Sequence, residues 1–201
     1  MGGVVSIKIV KPYQERCIFY GMVGSGKSNL MAYMLQRTKA KFILIDMEGI
    51  HSWEPLDPSR QTIIHGKRGT DREALLMQVL HKVMNEKYYI LAVEGIDAFQ
   101  TCRWMPPELH DFVQYGRNYQ WGRSSYWVTA RRLADVHNDI VGNCQHHFIF
   151  RSFEPNDVHN YYRKFLGKEV ALRLQSLPDY HFYYWNPPRS PVLSSPVKKV
   201  I

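Results

Sequence analysis

A chain of 201 residues with 45% hydrophobic content suits one compact domain with a sizeable core. No window approaches 18 consecutive apolar residues, and the start, Met1-Gly2-Gly3-Val4-Val5, lacks the basic and long apolar stretches of a secretory signal, so neither a membrane span nor export is expected. A formal net charge of +8 suits a polyanionic partner, and three scattered cysteines (Cys17, Cys102, Cys144) without a C-x-x-C read as reduced intracellular thiols.

Gly2 with Ser6 matches a loose myristoylation pattern, which is too short to carry weight. The first strand is expected at 17–20, a short apolar run, Cys-Ile-Phe-Tyr. Residues 21–28 then read Gly-Met-Val-Gly-Ser-Gly-Lys-Ser and fit G-x-x-x-x-G-K-[ST], a loop that cradles phosphates. The chemistry explains the spacing. Consecutive backbone N–H groups surround a phosphate chain only where no side chain intervenes, hence Gly21, Gly24 and Gly26. Lys27 reaches the β- and γ-phosphates, and the Ser28 hydroxyl ligates Mg²⁺. The whole stretch Gly21, Met22, Val23, Gly24, Ser25, Gly26, Lys27, Ser28 and Asn29 is the expected ATP-binding segment. A helix follows, with Leu30, Met31, Met34 and Leu35 on one face, and its N-terminus favours phosphate charge.

Residues 41–46 form a second buried strand ending in Asp46. The stretch 50–60, with Trp53, Pro55, Asp57 and Pro58, marks a loop, and 61–65 a third strand. Residues 71–86 carry Leu75, Leu76, Val79, Leu80 and Val83 at helical spacing, with Thr70 or Asp71 as the cap. The most apolar strand is 88–93, followed by Glu94. A helix begins at Pro107 and ends near Gly116, and a strand spans 125–129. A short helix near 134–141 precedes a strand at 147–150. Helices at 155–166 and 168–177 flank Gly167, and a last strand covers 181–185. Its aromatic content suits a buried closing strand better than a base-stacking platform. The Pro-rich tail from 187, ending Lys198-Lys199-Val200-Ile201, reads as an extended arm, which divides the chain into 1–186 and 187–201. Alternating strands and helices imply mostly parallel strands covered on both faces.

A P-loop enzyme also needs a carboxylate at a neighbouring strand end for the Mg²⁺ shell, and Glu94 has that position. Two assignments are open. Glu94 serves the metal while Asp97 orients water, or Glu94 is the base and Asp46 supports the metal. The first is preferred, because an acid directly after an apolar run is the metal position. Asp97 as a helix cap and Asp46 as a satisfied strand-end carboxylate are the plainer accounts of those two residues.

With strands and acids placed, the chain resembles the HerA/FtsK superfamily of DNA-translocating P-loop ATPases, above all the small genome-packaging ATPases of tailless viruses with an internal membrane. Besides the P-loop, the resemblance rests on Asp46-Met47-Glu48-Gly49, on Gly116-Arg117-Asn118-Tyr119, on Tyr126 to Arg132, on Asp135 to Arg151, and on Glu154-Pro155 and Leu166-Gly167. It covers 15–186. Many members have Asp-Glu where this chain has Glu94-Gly95, and Thr-Gln where it has Thr129-Ala130. Thr129 or Arg131 takes the duty of the missing γ-phosphate sensor.

The resemblance implies a RecA-like α/β P-loop NTPase fold, with a mostly parallel central sheet flanked by helices. It implies ATP hydrolysis with Mg²⁺ held by Ser28 and Glu94, with Asp46 as a further candidate, and a ring of five or six copies around double-stranded DNA. An arginine from one subunit then reaches its neighbour's γ-phosphate. Arg117 and Arg131 are the favoured candidates beside Arg123 and Arg132. Lys67-Arg68, Arg103 and Lys198-Lys199 are candidate DNA contacts. A capsid vertex or internal membrane protein is a further implied partner, and the host cytoplasm or the virion the implied location. The expected function is ATP-driven DNA translocation into a capsid. The alternatives are a cellular or plasmid translocase, a nucleotide-dependent virion-assembly protein that pumps no DNA, and a small-molecule kinase.

Overall fold

The computed structural model describes residue 9 and residues 11–49, 51–54, 56–67, 69–118, 120 and 122–201. The Gly2/Ser6 pattern, Ile50 and Pro55 of the first loop, Arg68 and Tyr119 lie outside the described residues.

Eight strands form one sheet: β1 (Cys17–Tyr20), β2 (Lys41–Asp46), β3 (Gln61–His65), β4 (Tyr89–Glu94), β5 (Ser125–Ala130), β6 (His146–Ile149), β7 (Phe182–Trp185) and β8 (Val192–Ser194). Their spatial order is β3-β2-β4-β5-β1-β6-β7-β8. The first six run parallel, and β7 and β8 close the edge antiparallel. The helices are α1 (Lys27–Arg37), α2 (Arg72–Glu86), α3 (Pro107–Tyr115), α4 (Asn138–Gly142), α5 (Arg163–Leu166) and α6 (Lys168–Arg173).

The strands alternate between two apolar layers. Ile18, Ile43, Ile45, Leu91, Val93, Val128 and Ile149 face the side covered by α2 to α6. Cys17, Phe19, Phe42, Leu44, Ile90, Ala92, Trp127 and Phe148 face the side covered by α1, Trp53 and Leu56. Both faces are buried, which is why these strands read as continuous apolar runs. The parallel pairs need crossovers, and α1 and α2 supply two of them. Asp71 caps α2 by accepting from the Ala74 N–H at 3.1 Å.

Three stretches differ from the sequence reading. The helix expected over 155–166 contains a π-helical stretch, Asp157–Tyr162, before α5. The helix expected near 134–141 is a 3₁₀ turn, Leu133–Asp135, followed by α4. The tail lies back on the domain. Val192–Ser194 pairs with β7, and Val197, Val200 and Ile201 pack on the α1-side core. Exposed backbone at a sheet edge accepts another strand readily, and β8 takes that place here.

Strand order places the site. β1 sits between β5 and β6, and the chain leaves it towards β2 on the far side of β4 and β5. Such a switch point opens a crevice at the carboxyl ends of the strands. Glu94 ends β4, which is separated from β1 by β5 rather than adjacent to it.

Candidate active site

The loop between β1 and α1 is held from several sides. The Gly21 N–H donates to the Ala130 carbonyl (3.3 Å), the Met22 N–H to the Arg151 carbonyl (2.9 Å), and the Tyr180 N–H to the Ser25 carbonyl (3.0 Å). Gly21 and Gly26 have φ of 147° and 106°. A Cβ on Gly21 falls 2.7 Å from the Phe150 Cβ and 2.9 Å from the Arg151 carbonyl oxygen, and one on Gly26 falls 2.6 Å from the Tyr180 ring. Gly21→Ala meets backbone that cannot step aside, so it is expected to lower the unfolding free energy by about 2–4 kcal/mol, read from denaturant midpoints.

Inside the loop, the buried Lys27 donates from Nζ to the Met22 carbonyl at 2.9 Å. Burial lowers its pKa, while Glu94 and Asp97 hold the charge in place. The Ser28 hydroxyl donates to Glu94 Oε1 at 2.7 Å, joining positions 66 apart. Glu94 Oε2 is buried without a hydrogen-bond partner. Burial, opposed by Ser28, Lys27 and Thr129 and assisted by Asp46, pushes the Glu94 carboxyl up to about 7. Its neighbour Gly95 donates its N–H to Thr129 Oγ1 at 2.8 Å, which locks the ends of β4 and β5 together.

Folded Glu94 therefore keeps its proton to higher pH than it does in the unfolded chain. Between the ordinary carboxylate range and about 7 the folded state binds more protons, so stability falls as pH rises through that window. In metal-free buffer the melting temperature is expected to decline over this range, and to decline less steeply in Glu94→Gln. Parallel slopes in the two proteins count against a perturbed Glu94.

The loop, Glu94, Thr129 and Arg131 border a cleft of about 430 Å³, room for a nucleotide. Arg131 faces the cleft of its own chain. Its Nε lies 3.3 Å from Asp97 Oδ2, and its guanidinium 3.5 Å from Glu48 Oε1. Asp97, in the 3₁₀ turn Ile96–Ala98, thus holds Arg131 and does not border the cleft. Asp46 is fully engaged elsewhere. Its Oδ1 accepts from the Glu48 and Gly49 N–H groups and its Oδ2 from Trp53 Nε1, so it organises the loop after β2.

The remaining cations scatter. Arg132 is surrounded by Asp135, Glu154 and Asp157 at 3.6–3.9 Å. Arg117 and Arg123 lie between α3 and β5, at the end of the sheet opposite the P-loop, and Arg117 is exposed there. Lys67 and Arg103 are exposed in loops on the P-loop side. Lys198 and Lys199 lie along α1, where the Lys198 carbonyl accepts from Asn29.

Sequence reading missed Glu48, His51, Tyr180 and the tail as cleft residues. Tyr180 precedes β7 and has φ 63°, and Asp179 beside it bonds Arg151 at 2.5 Å. Nothing local in the sequence marks that loop as a neighbour of one some 150 positions earlier.

A glycine-rich loop from a parallel strand to a helix, with an acid two strands away, makes this the fold of a P-loop NTPase. Solved structures share it. The DNA-packaging ATPase B204 of Sulfolobus turreted icosahedral virus aligns over 93% of this chain and 100% of its own at 14% identity and TM-score 0.75. The genome-packaging NTPase B204 of Sulfolobus turreted icosahedral virus 2 in complex with AMPPCP aligns over 92% and 98% at 18% identity and TM-score 0.71. EssC (ATPases 2 and 3) of Geobacillus thermodenitrificans aligns over 92% of this chain and 40% of its own at 12% identity and TM-score 0.63. No protein-family model and no curated protein matches the sequence. At these identities the likeness is one of fold, and it agrees with the HerA/FtsK-like resemblance read from the sequence.

Proposed function

We propose that this protein hydrolyses ATP to move double-stranded DNA, most concretely a viral genome into its capsid. The observation that carries the reading is the Ser28–Glu94 hydrogen bond at the mouth of a glycine-lined loop, with the second Glu94 oxygen buried and unpartnered. A hydroxyl and a carboxylate so placed fit Mg²⁺, which when bound supplies charge neutralisation at the β- and γ-phosphates. Backbone N–H groups of Gly24, Gly26, Lys27 and Ser28 hold the phosphates, and Lys27 exchanges the Met22 carbonyl for a phosphate oxygen. The Glu94 oxygen without a hydrogen-bond partner is suited to take a proton from the attacking water. Asp97 and Glu48 aim Arg131 into its own cleft, where it and Thr129 sense the γ-phosphate. Asp46 supports the loop rather than the metal.

Within this reading the chain acts as a ring, in the host cytoplasm or the virion. Arg117 stands at the opposite end of the sheet from its own P-loop, so it completes a neighbour's site if it completes any. Residues 1–186 are the ATPase unit, and 187–201 are its folded-back arm. Lys67 and Arg103, on exposed loops, contact DNA phosphates without regard to sequence. Support for the DNA step comes from the net charge of +8 and from the fold shared with packaging ATPases. Among the described residues, no helix is long and apolar enough to cross a membrane.

The test is steady-state ATP turnover with and without duplex DNA of several unrelated sequences. Turnover is expected to rise severalfold with each duplex and to lose that stimulation as salt increases. Turnover indifferent to DNA counts against a motor and favours a nucleotide-dependent assembly role.

A further inference from the structure

Part of the cleft wall comes from a segment that the nucleotide reading does not use. Residues 197–201 lie across the first turn of α1, fastened through one side chain. Asn29 Nδ2 donates to the Lys198 carbonyl (3.3 Å), and Asn29 Oδ1 accepts from the N–H groups of Val200 (2.6 Å) and Ile201 (3.5 Å). Val197, Val200 and Ile201 anchor the segment on the apolar layer beneath α1. Lys199 and Ile201 border the cleft together with Tyr180, whose ring abuts Gly26.

The placement has chemical consequences. Asn29 directly follows Ser28, at the loop–helix junction where the phosphates enter. Its amide oxygen and nitrogen are both used by the segment, so the segment's position and the junction's geometry are tied. Among the described residues bordering the cleft, the cations are Lys27, Arg131 and Lys199, against Glu48 and Glu94. Arg131, held by Glu48 and Asp97, is taken up by the γ-phosphate in the nucleotide reading, and Lys199 is a further cleft cation for the phosphates that this reading does not use. Tyr180 and Ile201 offer an aromatic and an aliphatic surface suited to a purine face.

We propose that residues 197–201 are the base-side wall of the nucleotide cleft: Asn29 latches them, Lys199 contacts phosphate, and Ile201 with Tyr180 borders the base. This rests on the nucleotide reading above. Docking of the segment and nucleotide binding are therefore linked, each favouring the other.

The experiment measures binding of ATPγS and AMP with Mg²⁺ by calorimetry, in the wild-type chain, Lys199→Ala and Val200→Asp, alongside hydrogen exchange of the 197–201 amides. Lys199→Ala is expected to weaken ATPγS about tenfold and AMP by less than about threefold, with an unchanged melting temperature. Val200→Asp, which undocks the segment, is expected to weaken both ligands and to lose protection at 197–201. In the wild-type chain, ATPγS is expected to slow exchange there. Unchanged affinity in Lys199→Ala overturns the proposal, and so does tighter binding in Val200→Asp, since an obstructing segment behaves that way. Should Val200→Asp not fold, Lys199→Ala decides alone. Failure of the wild-type chain to bind either nucleotide is a different result, which removes the nucleotide reading and this wall with it.

Discussion

Replacing Lys27 by alanine is expected to reduce ATP turnover at least about 100-fold, to the background of the assay, with DNA present or absent. The ammonium is buried within the P-loop and bridges to the Met22 carbonyl across it, with Glu94 and Asp97 close enough to hold its charge. A cation at that depth acts on phosphate charge with little screening by water. Alanine removes the charge and leaves the Met22 carbonyl without this donor. The melting temperature of the nucleotide-free variant should therefore be reported beside the rate. Lys27→Arg separates charge from shape, because the planar guanidinium does not occupy the volume of an ammonium. It too is expected to be inactive. Turnover surviving in Lys27→Ala would place hydrolysis elsewhere in the molecule.

The second large effect is expected in Glu94→Gln. Turnover should fall by about 100-fold or more, and ATPγS affinity with Mg²⁺ should fall by a smaller factor, because a neutral amide attracts Mg²⁺ less than the carboxylate does. The amide keeps the shape and can still accept from the Ser28 hydroxyl, so the loop should hold. What is lost is the negative charge, which both takes a proton and attracts Mg²⁺. The same substitution removes an ionisable group that burial penalises, so above neutral pH the variant should melt no lower than the parent. Asp97→Asn is the informative companion. Asp97 pairs with Arg131 and does not border the cleft, so its loss should act by freeing Arg131 and should cost less than Glu94→Gln. A larger loss in Asp97→Asn than in Glu94→Gln would reverse the two roles.

Local pattern carried the strands. The apolar runs at 17–20 and 41–46 coincide with β1 and β2, because strands buried on both faces leave no polar alternation to confuse the reading. The stretch 61–65 coincides with β3 too, although that edge strand is only partly buried. The helix at 71–86 was legible from its apolar spacing and from Asp71, which does cap it. The π-helical stretch at Asp157–Tyr162 left no such mark, because a changed hydrogen-bond register inside a helix hardly alters the residue pattern.

The site divides in the same way. By itself the sequence determined a P-loop motif between a strand and a helix and an acid at a strand tip, because glycine spacing and an apolar run ending in a carboxylate are features of contiguous residues. Only the tertiary structure decided that Glu94 meets Ser28 across β5, and that Asp46 is used up by Glu48, Gly49 and Trp53. It also turned Arg131 into its own cleft and folded residues 197–201 onto Asn29. These are contacts between residues distant in the chain. They depend on strand order and on where each loop finds a partner for its backbone, and no local window of sequence encodes either.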